Sequence, residues 1–194
     1  MREILHSGVL GKIFNVQADH GQRLADRNIP RLADPELAGG ALLDLGIYPI
    51  SFAHLVLGIP NRITSTGVMT DRGVDAQTSA IFDYADGAQA VISTNMIAQT
   101  PCRAVVSGLL GRLEIDSVFY APTSMRVITY DGEVTEYPRS YQGHGLREQA
   151  IEMARVVRSG ELESPLMPWS ETVAVMKTLD EIRRQIGLTY PFED

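Results

Sequence analysis

The sequence contains one cysteine, Cys102, so no intrachain disulfide can form and no cysteine-based zinc site can be assembled. A lone thiol beside Pro101 in a strand-like stretch reads as a small core residue rather than a nucleophile. Basic residues are outnumbered, 17 against 24 acidic ones, for a formal net charge of −7. That balance argues against a nucleic-acid backbone or an anionic membrane as partner. The N-terminus, MREILHSGVLGKIFNVQADHG, turns polar too soon for the apolar stretch of a signal peptide. No run approaches the ~20 apolar residues of a membrane helix. A reducing, cytoplasmic location is the resulting expectation.

Motifs are also missing. A G-x-G-x-x-G turn after a strand would cradle a pyrophosphate on a helix N-terminus. The nearest string, Gly143-His144-Gly145-Leu146-Arg147-Glu148, lacks the third glycine. No phosphate-loop, H-E-x-x-H or G-x-S-x-G motif occurs, so no cofactor-binding or metal-ligating residues are assigned. The histidines, His6, His20, His54 and His144, are scattered, and none is paired with a carboxylate at ligand spacing. His54 reads as a half-buried helix residue and His144 as a solvated loop residue.

What is present reads as one α+β domain spanning residues 1–194, an open, mostly antiparallel sheet with helices packed on one face. Residues 2–7 read as the tail of a helix closed by Ser7-Gly8, as if the chain had lost its beginning. A strand is predicted from Lys12 to Gln17. Residues 21–38 read as a long polar excursion that, with a loop at 139–145, lines a pocket. Residues 38–58 read as a buried helix ended by Gly58, irregular at Gly46 and Pro49, because Pro49 has no N–H and clashes with the carbonyl of Leu45. Short alternating runs fill residues 61–138, with hairpins marked by Asp86-Gly87 and Asp131-Gly132. Two helices close the chain. The first, 145–159, carries Leu146, Ala150, Ile151, Ala154 and Val157 at helical spacing and is capped by Gly160. The second is opened by Ser170 and turns Val173, Met176, Leu179, Ile182 and Ile186 inward. The second face of the sheet, rich in Thr, Ser, Ala, Val, Ile and Met, suits packing against another subunit.

Chemistry concentrates at Asp44 and Tyr48. Four residues apart on a helix, their Cβ atoms lie roughly 5–6 Å from each other. One reading is a buried hydrogen bond from the tyrosine hydroxyl to the carboxylate. The other is a functional pair, favoured by the distortion that Gly46 and Pro49 impose around two ionisable groups.

The segment GGALLDLGIYP, preceded by a strand ending in ADHG and followed by a sheet and a closing LDEIRRQIGLTYPF, resembles the C-terminal domain of the glucose–fructose oxidoreductase / inositol dehydrogenase / rhizopine-catabolism (Gfo/Idh/MocA) family. By motif its nearest branch is the dihydrodiol-dehydrogenase-like one, with tyrosine where inositol dehydrogenases carry histidine. The resemblance implies an N-terminal Rossmann domain binding NAD or NADP, absent here, with residues 1–10 a remnant of the connecting helix. It also implies an open sheet of about six strands forming a homo-oligomer interface, and a sugar, polyol or cyclic diol as substrate. Asp44 would orient the substrate hydroxyl and Tyr48 would be the general acid–base. A free tyrosine has a pKa near 10, and a neighbouring ammonium favours its phenolate. In the family that ammonium belongs to an E-K-P lysine of the Rossmann domain; Lys12 and Lys177 lie in no such context. This chain alone is therefore expected to be inactive. The alternatives are a dimerising or polyol-binding module without turnover, and a scaffold for a separately encoded Rossmann partner.

Overall fold

The structure, a computed structural model, describes residues 1–24 and 29–193. Its frame is an eight-stranded sheet ordered β2-β3-β4-β1-β5-β6-β7-β8. The strands are β1 (Ile13–Gly21), β2 (Arg62–Met69), β3 (Asp75–Asp83), β4 (Gln89–Asn95), β5 (Ala104–Gly108), β6 (Gly111–Ile115), β7 (Met125–Thr129) and β8 (Val134–Tyr137). The seven runs anticipated within 61–138 are all strands, and β1 joins them at the centre, so the sheet exceeds the six strands implied by resemblance. β1 pairs in parallel with β4, and the remaining neighbours are antiparallel. The two Asp-Gly hairpins form as expected, with Gly87 at φ +89° and Gly132 at φ +97°.

The helices are α1 (Arg2–His6), α2 (Pro30–Ala33), α3 (Ile47–Leu57), α4 (Leu146–Ser159) and α5 (Trp169–Ile186). Alternation along the strands turns Val16, Ala18, Phe82, Ile92 and Val106 inward, against Leu42, Ile50 and Phe52 from one side of the sequence and Val175, Leu179 and Ile182 from α5. Each of the Val, Leu, Ile and Phe side chains among them contributes about 1.5–3 kcal/mol on burial. The opposite face carries a lateral row in register, Thr64, Ile81, Val91, Gln17, Val105, Glu114 and Arg126. It is left uncovered: Ile81 is 42% and Val91 40% exposed.

In α4, Leu146, Ile151 and Val157 are exposed, and Val156 is the buried residue. Two expectations for α5 are corrected. The core face of α5 is Ala174, Val175, Thr178, Leu179 and Ile182, leaving Val173 and Met176 outside. The reason is Thr178, whose hydroxyl bonds His54 and so claims an inward position that hydrophobicity alone would not assign. The N-cap of α5 is Pro168, not Ser170, which lies in the first turn. A further correction concerns length and apolarity. Pro35–Leu57, a helical stretch of 23 residues, contains an 18-residue window of mean hydropathy 1.5 that would suffice by length and composition to cross a membrane, and 56% of that window is buried within the protein.

Helix α3 ends as anticipated at Gly58, φ +79°, and α4 at Gly160, whose left-handed conformation returns its N–H to Val156 and Val157. The irregularity expected at Gly46 and Pro49 is a π-helical turn, Leu42–Gly46, leading into α3. Its start is held by Asp75, which is fully buried and accepts the Leu42 N–H at 2.9 Å and the Thr78 hydroxyl at 2.8 Å. Burial raises the Asp75 pKa, opposed by these hydrogen bonds. Cys102 is buried, its thiol pushed up to about 11 by desolvation, in keeping with a core role.

Candidate active site

Pro49 shapes the site through the N–H it lacks. In an α-helix the carbonyl of Leu45 would accept from residue 49; here the imidazole of His20 takes that carbonyl, Nδ1 to O at 3.1 Å. A carbonyl only accepts, so Nδ1 carries the proton and Nε2 of the neutral ring is an acceptor. Nε2 meets the amide nitrogen of Gln22 at 2.8 Å and the hydroxyl of Tyr120 at 3.2 Å. His20 is 1% exposed, and burial lowers its pKa, against the opposing effects of the Leu45 carbonyl, Asp44 and Asp19. Asp19 anchors the strand from which His20 projects, accepting the N–H groups of Cys102 and Arg103 at 2.7 and 3.1 Å.

Tyr48, in the first turn of α3, packs against this histidine. Its ring meets His20 edge-on at 4.9 Å and lies over Tyr120 at 4.2 Å between centroids. Tyr120 continues into Phe119 and Phe52, a chain of aromatic contacts. Together with Met1, Ile47 and Leu55 these rings line an open cleft of about 530 Å³. Tyr48 is 40% exposed there, and among the described residues its hydroxyl has no hydrogen-bond partner. Tyr120, more deeply set, has its pKa raised by desolvation first and by Cys102 and Tyr48 next.

Asp44 sits on the π-turn and does not bond Tyr48. It pairs with Arg31 of α2, Nη1 to Oδ1 at 2.7 Å. The buried Tyr–Asp hydrogen bond is thus not formed, and the two residues meet around His20 instead, Asp44 through its charge and Tyr48 through its ring. Of the anticipated pocket-lining segments, residues 21–38 supply Gln22 and Arg31, while residues 25–28 lie outside the described ones. The loop at 139–145 is exposed and ends against Pro122, where a Cβ on Gly145 would lie 2.8 Å from the proline ring. His20, Gln22 and Tyr120 escaped the sequence reading. The available signal was the missing N–H of Pro49, which leaves the Leu45 carbonyl without its ordinary α-helical donor.

Neither lysine joins the site. Lys12 binds the β3–β4 turn through the Asp86 carbonyl at 2.9 Å, and Lys177 lines a groove with Ile59 and Pro60. His54, expected half-buried, is fully buried between Glu171 at 3.2 Å and Thr178 at 2.9 Å, tying α3 to α5. Desolvation lowers its pKa, with Glu171 opposing.

Residues 1–114 match the model of the GFO/IDH/MocA C-terminal domain. The trans-1,2-dihydrobenzene-1,2-diol dehydrogenase of Xenopus tropicalis is 31% identical over 198 residues, covering 98% of this chain and 59% of that protein. The D-xylose 1-dehydrogenase (NADP(+)) of Hypocrea jecorina is 31% identical over 223 residues, covering 98% and 57%. The chain thus spans well under two thirds of the relatives it matches. Among solved structures, the aldose-aldose oxidoreductase of Caulobacter crescentus superposes with a TM-score of 0.81 at 22% identity, over 94% of this chain and 56% of that one. A 3-ketoreductase from Actinomadura kijaniata, solved with NADP and TDP-benzene, gives 0.78 at 25% identity, over 95% and 57%. The chain belongs to the GFO/IDH/MocA oxidoreductase family, which it matches through the family's C-terminal domain.

Proposed function

We propose that this chain is the substrate-binding and acid–base half of an NAD(P)-dependent oxidoreductase acting on a hydroxyl of a sugar, polyol or cyclic diol. The observation that carries the reading is Tyr48: an exposed phenol at an aromatic cleft, its ring held by His20 and Tyr120 and its hydroxyl unengaged.

In this reading Tyr48 exchanges the proton of the reacting hydroxyl, while Asp44, paired with Arg31, orients that hydroxyl by accepting a hydrogen bond. The aromatic wall excludes water from one side of the substrate carbon. No glycine-rich turn is present to cradle a pyrophosphate, so the nicotinamide that takes up or delivers the hydride is assigned to a separate, cofactor-bearing domain, as is the cation that favours the phenolate. The chain by itself is then not competent. Residues 1–10 are read as the end of the helix that joins the two domains.

The uncovered sheet face supports a second element of the proposal, a homodimer or dimer of dimers built on the row from Thr64 to Val105. Its flat Val, Ile, Thr and Ser surface suits a symmetric contact. A reducing, cytoplasmic location suits the buried thiol of Cys102.

The test of the catalytic assignment is Tyr48→Phe in a protein restored with a cofactor domain. Turnover is expected to fall by two to four orders of magnitude, the scale of general acid–base catalysis. Near-wild-type turnover would end the reading.

A further inference from the structure

We propose that the carbonyl end of the Gln22 side chain is a substrate-recognition group: it accepts a hydrogen bond from a second hydroxyl of the ligand and makes the site select a diol over a single alcohol. This rests on the reading above that Tyr48 meets the reacting hydroxyl.

The polarity of the cluster is set from Pro49. The Leu45 carbonyl, which Pro49 cannot serve, accepts Nδ1–H of His20 at 3.1 Å, so Nε2 of the neutral ring offers a single lone pair. The Gln22 amide lies 2.8 Å from that nitrogen. Only its amino end can donate there, which fixes the amide and turns its carbonyl oxygen, Oε1, away from the imidazole. Turning the amide over would set Oε1 against Nε2 and require a doubly protonated ring. Burial opposes that charge: His20 is 1% exposed, and its pKa is lowered chiefly by desolvation. The groups facing it are Asp19 on its own strand, Asp44 on the π-turn, and the rings of Tyr48 and Tyr120.

The backbone holds Gln22 in place. Its N–H donates to the Asn95 carbonyl at 2.9 Å, and the Leu24 N–H donates to that of Met96 at 2.9 Å, so the chain runs on past β1 alongside the end of β4. Gln22 is half-buried, and among the described residues Oε1 has no hydrogen-bond partner. Beside it stands the Tyr120 hydroxyl, 3.5 Å from the Gln22 amide nitrogen and 3.2 Å from His20 Nε2. The nearer Gln22 N–H occupies the one lone pair of Nε2, so the Tyr120 proton is the one that can turn to a ligand. An acceptor and a donor thus lie side by side next to Tyr48, whose ring is 4.2 Å from that of Tyr120. A hydroxyl satisfies both at once, whereas a ketone or carboxylate cannot donate to Oε1. Such a site discriminates against the analogue without the hydroxyl, because its own polar atoms are then covered and unpaired.

In the experiment, trans-cyclohexane-1,2-diol and cyclohexanol, which differ by one hydroxyl, are titrated into the 194-residue chain by ligand-observed NMR. The wild type is expected to bind the diol about tenfold more tightly, the scale of one hydrogen bond. Two variants separate recognition from support of His20. Gln22→Lys keeps a donor for Nε2 and has no acceptor, so the diol should fall to the affinity of cyclohexanol while nitrogen NMR still finds His20 protonated at Nδ1. Gln22→Glu keeps an acceptor and has no donor. The diol preference should then persist, while His20 titrates about one pH unit higher, because Nε2 must carry a proton to meet the carboxylate. Equal binding of the two probes by the wild type, absence of binding by either included, would overturn the proposal. So would a diol preference that survives Gln22→Lys, or a wild-type His20 protonated at Nε2. Failure of the catalytic reading is separately visible: Tyr48→Phe in the restored enzyme would keep its turnover while the diol preference and its loss in Gln22→Lys stand.

Discussion

Replacing Gly40 by alanine tests the structural basis of the site. Gly40 adopts φ +117°, a region L side chains rarely occupy, and a Cβ there would lie 2.2 Å from Asp75 Oδ1. That oxygen is buried and has no hydrogen-bond partner among the described residues, while its twin holds the Leu42 N–H and the Thr78 hydroxyl. Alanine must push the carboxylate away, and the movement costs one or both hydrogen bonds at the point where the π-turn begins. The backbone strain is about 1–3 kcal/mol, and one buried group left unsatisfied adds about 1–3 kcal/mol, so the total is roughly 2–6 kcal/mol. At ~2–4 °C per kcal/mol for a chain of this size, the melting temperature should fall by roughly 4–24 °C. Gly73 supplies the control: φ is +86° and nothing lies within 4 Å of the added Cβ. Gly73→Ala should therefore show the backbone cost alone, about 1–2 kcal/mol. Calorimetry and urea unfolding of both variants measure the difference. Asp75→Ala should also destabilise, but in combination with Gly40→Ala the two costs should add to less than their sum, because the clash has been removed. Equal losses for Gly40→Ala and Gly73→Ala, or simple additivity with Asp75→Ala, would refute the reasoning.

Tyr48→Phe should leave the melting temperature of this chain within about 1 °C, because an exposed hydroxyl without a partner contributes little to stability; a loss of several degrees would mark Tyr48 as structural. The purified chain should neither reduce NAD(P) nor bind it more tightly than millimolar, and measurable reduction would contradict the division of labour proposed. Val91→Asp, on the uncovered sheet face, should shift sedimentation of the chain towards a monomer of about 21 kDa; an unchanged oligomer would move the interface elsewhere. His20 and His54 have pKa values lowered from 6.5, chiefly by burial, so folding favours their neutral forms. The corresponding stability is fully present above about pH 6.5 and is lost as pH falls through the folded pKa values. Melting temperature should thus decline between about pH 7.5 and 5, less steeply in His54→Gln, and a flat profile for the wild type would contradict the burial of both rings.

Local rules were sufficient for the sheet and failed at contacts between distant elements. Period-two alternation and the Asp86-Gly87 and Asp131-Gly132 turns are properties of a few adjacent residues, and the strands they predict are present. Gly46 and Pro49 announced a distortion, but the π-turn that resulted could not be distinguished in advance from a kink, since both relieve a proline in a helix. Thr178 shows a different limit. A hydroxyl in a core position is excluded by hydrophobic pattern and permitted by a buried histidine, so α5 was read in the wrong rotational setting until His54 was known to meet it.

The same argument separates what could and could not be seen at the site. Asp44 and Tyr48 were visible because they share one helical segment. His20 and Tyr120 were not, because what unites them with Tyr48 is a single carbonyl that Pro49 cannot serve. The proline usually counted as a defect of the helix thus frees an acceptor, the acceptor fixes the imidazole, and the imidazole and Tyr120 hold the phenol at the cleft. In α4 the spacing announced the helix, and the structure leaves Leu146, Ile151 and Val157 exposed. A periodicity of 3.6 identifies which side of a helix is apolar, but whether that side meets its own core or another domain depends on surface that the helix itself does not contain.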